Sequence, residues 1–284
     1  MDMWKQFAVL AMVSSLAACS GDTPGSNGGG GSSGSNMLPS AIKGGVNQAS
    51  YNAASNSLSV NFDVLDASSV EATFRRASQL DVPGYKAFTL QESKTQRRLT
   101  AYFSEKEGVT AGIVADGYQF VNHVGGASVQ RTGSYSQPSS GLATYEGRYV
   151  GLINAASNNG GNLDPRSPVR VVGVVRINAD FTNGAINGGV DNRRVVGPAP
   201  FTTTEDFRFI GLEITKIKSD GSFVGKVTDP TGSAIGDYAG LFGGQNAKNV
   251  AVGLDFDPGV GGNGKEHGVI VIGCKKIKKG VPCN

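Results

Sequence analysis

The sequence predicts an all-β protein: a lipid-tethered chain with two strand-rich regions, the second a soluble, closed, eight-stranded antiparallel β-barrel. Three observations carry this. Glycine fills 42 of the 284 positions, and each interior glycine costs a helix about 1 kcal/mol relative to alanine, which argues against bundles and coiled coils. The glycines show no period of three and proline numbers only 11, which excludes collagen. Between the glycines run short stretches rich in β-branched and aromatic residues, bounded by turn dipeptides, as strands with tight connections require. The net charge of +3, from scattered Lys and Arg, supports no nucleic-acid surface.

Residues 1–18 read as a secretory signal peptide: Lys5, then the apolar run Phe7 to Val13, then Leu16, Ala17 and Ala18 ahead of Cys19. That run is far shorter than the roughly 20 residues a membrane-spanning helix needs. Leu16-Ala17-Ala18-Cys19 resembles the bacterial lipobox, which implies cleavage after Ala18 and lipidation of the Cys19 sulfur. Several acyl chains on one residue anchor firmly, since each buried methylene contributes about 0.8 kcal/mol. By the same resemblance Ser20, where an inner-membrane lipoprotein often carries Asp, points to the outer membrane. Ser20 to Asn36 holds seven glycines among Ser, Asn, Thr and Pro, a flexible tether with a reach of about 20 to 25 Å. Lipidated cysteine and tether together occupy residues 19–45. Gly30-Gly31-Ser32-Ser33-Gly34 matches a nucleophile elbow, but it lacks the strand-to-helix turn that motif needs.

Residues 46–137 form the first folded region. Strands are expected at Leu58 to Leu65, Tyr85 to Leu90, Arg98 to Phe103, Val109 to Ala115 and Ala127 to Arg131. Turn signals separate them, among them Asn52 to Ser57, Pro83-Gly84, Glu107-Gly108 and Asp116-Gly117. Ser68 to Ala77 fits either a capped helix, through Ser68 and Glu71, or a strand. Ser134 to Gly141 reads as a linker.

Residues 138–284 form the second region, with 26 glycines from Gly141 onward. Eight strands are expected: Thr144 to Ile153, Val169 to Asp180, Ala185 to Val196, Phe207 to Ile217, Ser222 to Thr228, Ser233 to Phe242, Asn249 to Phe256 and Glu266 to Ile277. Asn183-Gly184 and Asp220-Gly221 suit two-residue hairpin turns, which need positive φ. Eight short-connected strands favour closure, which leaves no free edge. A membrane barrel needs a continuous lipid-facing apolar band, which Asn187, Asp191, Asn192, Arg193 and Arg194 would interrupt.

The glycine and aromatic punctuation of this region runs Gly147-Arg148-Tyr149-Val150-Gly151, Ala179-Asp180-Phe181, Gly221-Ser222-Phe223-Val224-Gly225, Gly236-Asp237-Tyr238-Ala239-Gly240, and Gly268 to Gly273. In this order it resembles the barrel of transferrin-binding protein B-type surface lipoproteins, a group with factor H-binding and haemoglobin-binding relatives. Tyr118, Phe120, Gly125-Gly126-Ala127 and Gln130-Arg131 resemble the β-rich handle that precedes the barrel in single-lobe members. The chain has room for one handle and one barrel, whereas transferrin-binding protein B has two of each. The resemblance implies display on the outer membrane and capture of a host protein, haem carrier or other nutrient source.

Residues that could carry chemistry are few. His123 and His267 are the only histidines, and with no third His and no Cys near either in sequence a zinc site has poor support. Asp255, Asp257 and Glu266 hold the first, third and twelfth places of a calcium loop, but Val260 occupies the place that demands glycine. Gly259-Val260-Gly261-Gly262-Asn263-Gly264 matches a dinucleotide fingerprint but leads into a strand, where a helix is required. Cys274 and Cys283 remain after Cys19 is lipidated and read as a disulfide, two free thiols being the alternative. Lys275, Lys276, Lys278 and Lys279 are either a basic finger or a solvated strand edge, and Arg193-Arg194 and Arg97-Arg98 read the same way.

No nucleophile, base and orienting acid stand in a recognisable arrangement, so an enzyme is not expected, nor a metal or cofactor. The sequence points to a monomeric outer-membrane surface lipoprotein, held in the bilayer through Cys19, that binds a macromolecule or nutrient carrier. The alternative is a structural or assembly lipoprotein. Binding would fall to loops such as Asn154 to Pro168 and Gly197 to Asp206.

Overall fold

The computed structural model describes residues 36–64, 67–93, 98–117, 123–154, 167–197, 199, 201–260 and 264–278. The signal peptide, the cleavage point after Ala18, Cys19, residues 20–35, Tyr118, Phe120 and Cys283 lie outside the described residues.

The last part of the expected tether, residues 36–45, is docked rather than free. Ile42 in a short helix, α1 (Ser40–Lys43), and Leu38, two residues before that helix begins, are both buried. The Asn36 amide donates to the carbonyls of Val46 and Ala127, and its oxygen accepts from the N–H groups of Leu38 and Val129. Gly44 ends the helix at φ +56°, where an added Cβ would sit 2.3 Å from the Gly125 carbonyl oxygen, so only glycine fits.

Seven strands follow as a meander: β1 (Val46–Asn52), β2 (Ser57–Val64), β3 (Ala67–Arg76), β4 (Lys86–Leu90), β5 (Leu99–Lys106), β6 (Val109–Asp116) and β7 (Gly125–Arg131). The ambiguous segment is strand β3. β2 offers it a ladder from Ser57↔Arg75 to Phe62↔Val70, and Phe74 is buried beside Phe62. On one face of this sheet Val46, Leu58, Val60, Phe74, Phe88 and Phe103 form their own core.

The barrel strands are β8 (Leu142–Ile153), β9 (Val169–Asp180), β10 (Ala185–Val196), β11 (Ile210–Lys216), β12 (Ser222–Thr228), β13 (Ala234–Gly243), β14 (Asn249–Phe256) and β15 (Glu266–Lys278). Every neighbour is antiparallel, and β15 pairs with β8 to close the ring. β11 starts three residues later than expected, because Asp206–Arg208 is a 3-10 turn. The hairpin connections are also longer than two residues. Asp180 pairs with Ala185, so residues 181–184 form the first, with positive φ at Gly184 and not at Asn183. The Asp180 carboxylate accepts from the N–H groups of Thr182 and Asn183 at 3.0 and 3.1 Å, which favours this wider turn. Residues 217–221 form the second, with Gly221 at φ +76°.

Aromatic side chains fill the barrel. Phe242 lies 5.5 Å from Tyr145, 5.3 Å from Phe181 and 5.5 Å from Phe223, ring centre to ring centre. The second face of the meander packs on the barrel wall, where Ile42, Tyr85, Tyr102 and Ile113 share one apolar cluster with Val150, Leu152, Val269 and Val271. The Tyr85 hydroxyl donates to the Arg148 carbonyl at 2.8 Å and accepts from the Val271 N–H at 3.0 Å. With apolar side chains inside and Arg148, Arg176, Asn178 and Asn187 exposed outside, the barrel is polarised oppositely to one embedded in lipid.

Candidate binding face of the barrel

Two β-bulges decide which side chains the barrel presents. Asp191 pairs with Val174 and Arg194 with Val172, so Asn192 and Arg193 together oppose Gly173. Asn192 takes φ +50°, a conformation asparagine tolerates, and the slip turns Arg193 into the interior. This corrects the expectation that Arg193 lies in a basic finger or on a solvated edge. Its guanidinium pairs with Glu266 and donates to the Phe207 carbonyl at 2.6 Å, and its central carbon lies 4.4 Å from the Phe207 ring centre and 5.1 Å from that of Phe256. The Tyr149 hydroxyl donates to the other Glu266 oxygen at 2.6 Å. Burial, then the Glu266 charge, pushes the Tyr149 hydroxyl well above its usual value, so it stays a donor. This cluster ties the segment before β11 to the barrel interior.

Both histidines come to the same end of the handle-barrel junction. His267 is buried, with Nδ1 2.8 Å from Asp255 Oδ2 but without hydrogen-bond geometry, and an added Cβ on Gly125 would lie 2.4 Å from its ring. His123, two residues from Gly125, is exposed at the surface. Partial burial of its ring, then the neighbouring His267, lowers its pKa. Among the described residues no three His, Cys, Asp or Glu side chains are grouped to hold a metal. The carboxylates of the calcium-loop reading diverge: Glu266 points at Arg193, Asp255 at His267, and Asp257 accepts from the Gly259 N–H at 2.9 Å.

The second bulge acts in the opposite sense. Ile186 pairs with Thr215 and Gly188 with Leu212, so Glu213 and Ile214 together oppose Asn187. Strict alternation after Ile210 and Leu212 would bury Ile214, yet it is 67 % exposed. It stands on the wall left free by the handle, across a groove from Leu142, itself 50 % exposed. Beside the groove Glu146 bridges Arg176 and Lys275, each at 2.8 Å. The Lys275 and Arg176 hydrogen bonds hold the Glu146 carboxyl below its usual range.

Of the other residues read from the sequence, Cys274 is disulfide-bonded, with its partner outside the described residues. Lys276 and Lys278 continue β15 opposite Thr144 and Leu142, while Lys279 and Arg97 are not described. Arg98 donates to the Gln91 side chain at 3.0 Å, and Arg194 is exposed. Of the expected binding loops, residues 155–166, 198 and 200 are not described. Sequence reasoning missed Ile214 and Leu142 because nothing in the chain marks the bulge that exposes the first.

A meander that shares a core with a closed, side-chain-filled antiparallel barrel is the handle-and-barrel architecture that the sequence resemblance implies. No protein-family model matches the chain, and no curated protein matches it in sequence. Among solved structures it is similar to a double mutant of transferrin-binding protein B from Haemophilus parasuis Hp5, at 12 % identity over 80 % of this chain and 53 % of that one, with a TM-score of 0.43. It is also similar to isotype 1 transferrin-binding protein B from serogroup B Neisseria meningitidis, at 16 % identity over 83 % and 42 %, with a TM-score of 0.41. A third is described as a surface lipoprotein: 14 % identity over 81 % and 97 %, TM-score 0.38. The chain spans about half the length of these transferrin-binding proteins.

Proposed function

We propose that this is a surface lipoprotein of the bacterial outer membrane, cleaved after Ala18 and anchored through Cys19, that binds a macromolecular ligand or nutrient carrier on the outside of its barrel. The carrying observation is how the barrel is filled. Tyr145, Tyr149, Phe223, Tyr238 and Phe242 occupy its interior fully buried, so a ligand is met on the outer wall and loops rather than carried within. Binding rather than catalysis is the role this surface suits, and Cys274 and Cys283 pair as a disulfide. In cells carrying the gene, external protease should remove the protein from intact outer membranes, and Cys19→Ala should release it from the membrane fraction. Protection until the outer membrane is broken would exclude surface capture. The ligand is to be sought by pull-down from host or environmental protein mixtures.

A further inference from the structure

The two most exposed large apolar side chains among the described residues, Ile214 and Leu142, come from strands β11 and β8 and line the same groove. Its volume is about 480 Å3, and Asn178, Ala185 and Asn187 pave it between those two walls. A polar ladder crosses this floor: Thr144 donates to Asn178 at 3.2 Å, and Asn178 donates to Asn187 at 3.4 Å. Thr144 and Asn178 also line a second hollow of about 370 Å3 with Glu146, Arg176 and Lys275, so the two form one trough.

The trough has a chemical direction. Its first half is walled by two aliphatic side chains, at least one of them there only because a bulge re-aims it, and Asp180 also lines it, its carboxylate engaged by the N–H groups of Thr182 and Asn183. Its second half holds two long cations, Arg176 and Lys275, 65 % and 68 % exposed, around one carboxylate, which leaves a net positive charge. From Leu142 to Glu146 along β8 is four residues, or about 13 Å at the rise of an extended chain. A ligand that lies along β8 meets an aliphatic site first and a cationic site about four residues later.

We propose that this trough is the contact site for an extended segment of the protein ligand that carries an aliphatic side chain and, about four residues along, a carboxylate. The aliphatic side chain packs between Ile214 and Leu142. The carboxylate meets Arg176 and Lys275, and the segment's backbone amides meet the Asn178 and Asn187 side chains. The assignment rests on the reading of this protein as a binder of a macromolecule.

The full-length protein, purified in detergent, is to be panned against phage-displayed random dodecapeptides, and the enriched peptides made with a fluorescent label. The expected result is a set with an aliphatic residue and an Asp or Glu about four positions apart. Ile214→Asp and the pair Arg176→Glu, Lys275→Glu should each weaken their binding at least tenfold, whereas Ile214→Leu retains it. All these positions are solvent-facing, so the variants keep the fold, as circular dichroism should verify, although the charge-reversed pair, which faces Glu146 with like charge, should melt somewhat lower. Enriched peptides that bind every variant equally place contact elsewhere: the trough assignment falls while the binding reading stands. No enrichment over a bait-free control also overturns the trough, and the pull-down still judges binding. If no peptide is enriched and phosphatidylglycerol vesicles bind wild type but not the charge-reversed pair, the trough belongs to a membrane surface.

Discussion

Glu266 and Arg193 are the residues with most at stake in this barrel, because each is buried and each is the other's counter-ion. Removing both in favour of apolar groups can be nearly neutral, but removing one leaves an uncompensated charge in a medium that cannot solvate it. Glu266→Ala should therefore cost about 3 to 5 kcal/mol, since it strands Arg193 and also deprives the Tyr149 hydroxyl of its acceptor. Arg193→Met combined with Glu266→Gln should cost clearly less than the two single changes summed, because the double change removes both charges. Urea denaturation of Glu266→Ala, of the two single changes Arg193→Met and Glu266→Gln and of their double measures this, and a Glu266→Ala midpoint equal to wild type would show that the pair contributes nothing. None of this was visible in the residue order. Arg193 sits among Asn192 and Arg194 as if on a wet edge, and only the opposition of two residues to Gly173 turns it inward. The one local hint was Asn192, a residue type suited to positive φ.

At the scale of elements, the eight barrel strands and most handle strands were legible, because alternating apolar residues and glycine-marked turns are local signals. What was missed is what depends on partners. β1 holds Asn47, Gln48, Ser50 and Asn52 with only Val46 and Ala49 fully buried, so its strand character comes from pairing with β2. α1 is one turn, held by the burial of Leu38 and Ile42 rather than by propensity. Ile214 reversed face for the same reason: its bulge exists only against Asn187. The turns were legible in place but not in form, since their aspartates widen them. Asp229, at the β12–β13 turn, accepts from the Thr231 hydroxyl at 2.7 Å and from the N–H groups of Thr231 and Ser233, each at 2.9 Å. The Thr231 hydroxyl, then the Ser233 N–H, hold its carboxyl below the usual range, and Asp180 and Asp220 are lowered in the same manner by Asn183 and Ser222. A folded-state pKa below the unfolded one means that the unfolded chain binds more protons on acidification. The stabilisation is thus complete above about pH 4 and is lost as pH falls through the folded-state value. Asp229→Ala should melt at a lower temperature than wild type at pH 7, and the gap should close as pH is lowered toward 2. A gap that stays constant across that range would mean that the carboxylate charge is not what holds the turn.

At the scale of the molecule, the question is whether handle and barrel are two folding units or one. Two strand-rich regions joined by a linker suggest two, but the structure gives them a common core. Leu152 and Val150 on the barrel wall pack in the same cluster as Ile42, Tyr85, Tyr102 and Ile113 from the handle side. Polar ties lie across the same boundary: the Asn154 amide reaches the Asp116 carbonyl at 2.8 Å, Arg131 donates to the Phe242 carbonyl at 3.0 Å, and Asn249 donates to the Glu107 carbonyl at 2.8 Å. Exposing that seam would wet the shared apolar cluster, whereas water would replace the hydrogen bonds, so it is the apolar contact that makes handle and barrel depend on one another. Calorimetry should show a single transition whose van't Hoff and calorimetric enthalpies agree. Leu152→Ala removes apolar contact from the seam and should cost about 2 to 5 kcal/mol. The decisive feature is how that loss is distributed. If the parts are coupled, amides of the handle strand β5 and of the barrel strand β14 lose hydrogen-exchange protection together in the variant, although Leu152 lies on neither. If β14 alone loses protection while β5 keeps its wild-type rate, handle and barrel open independently, and the shared core does not couple them.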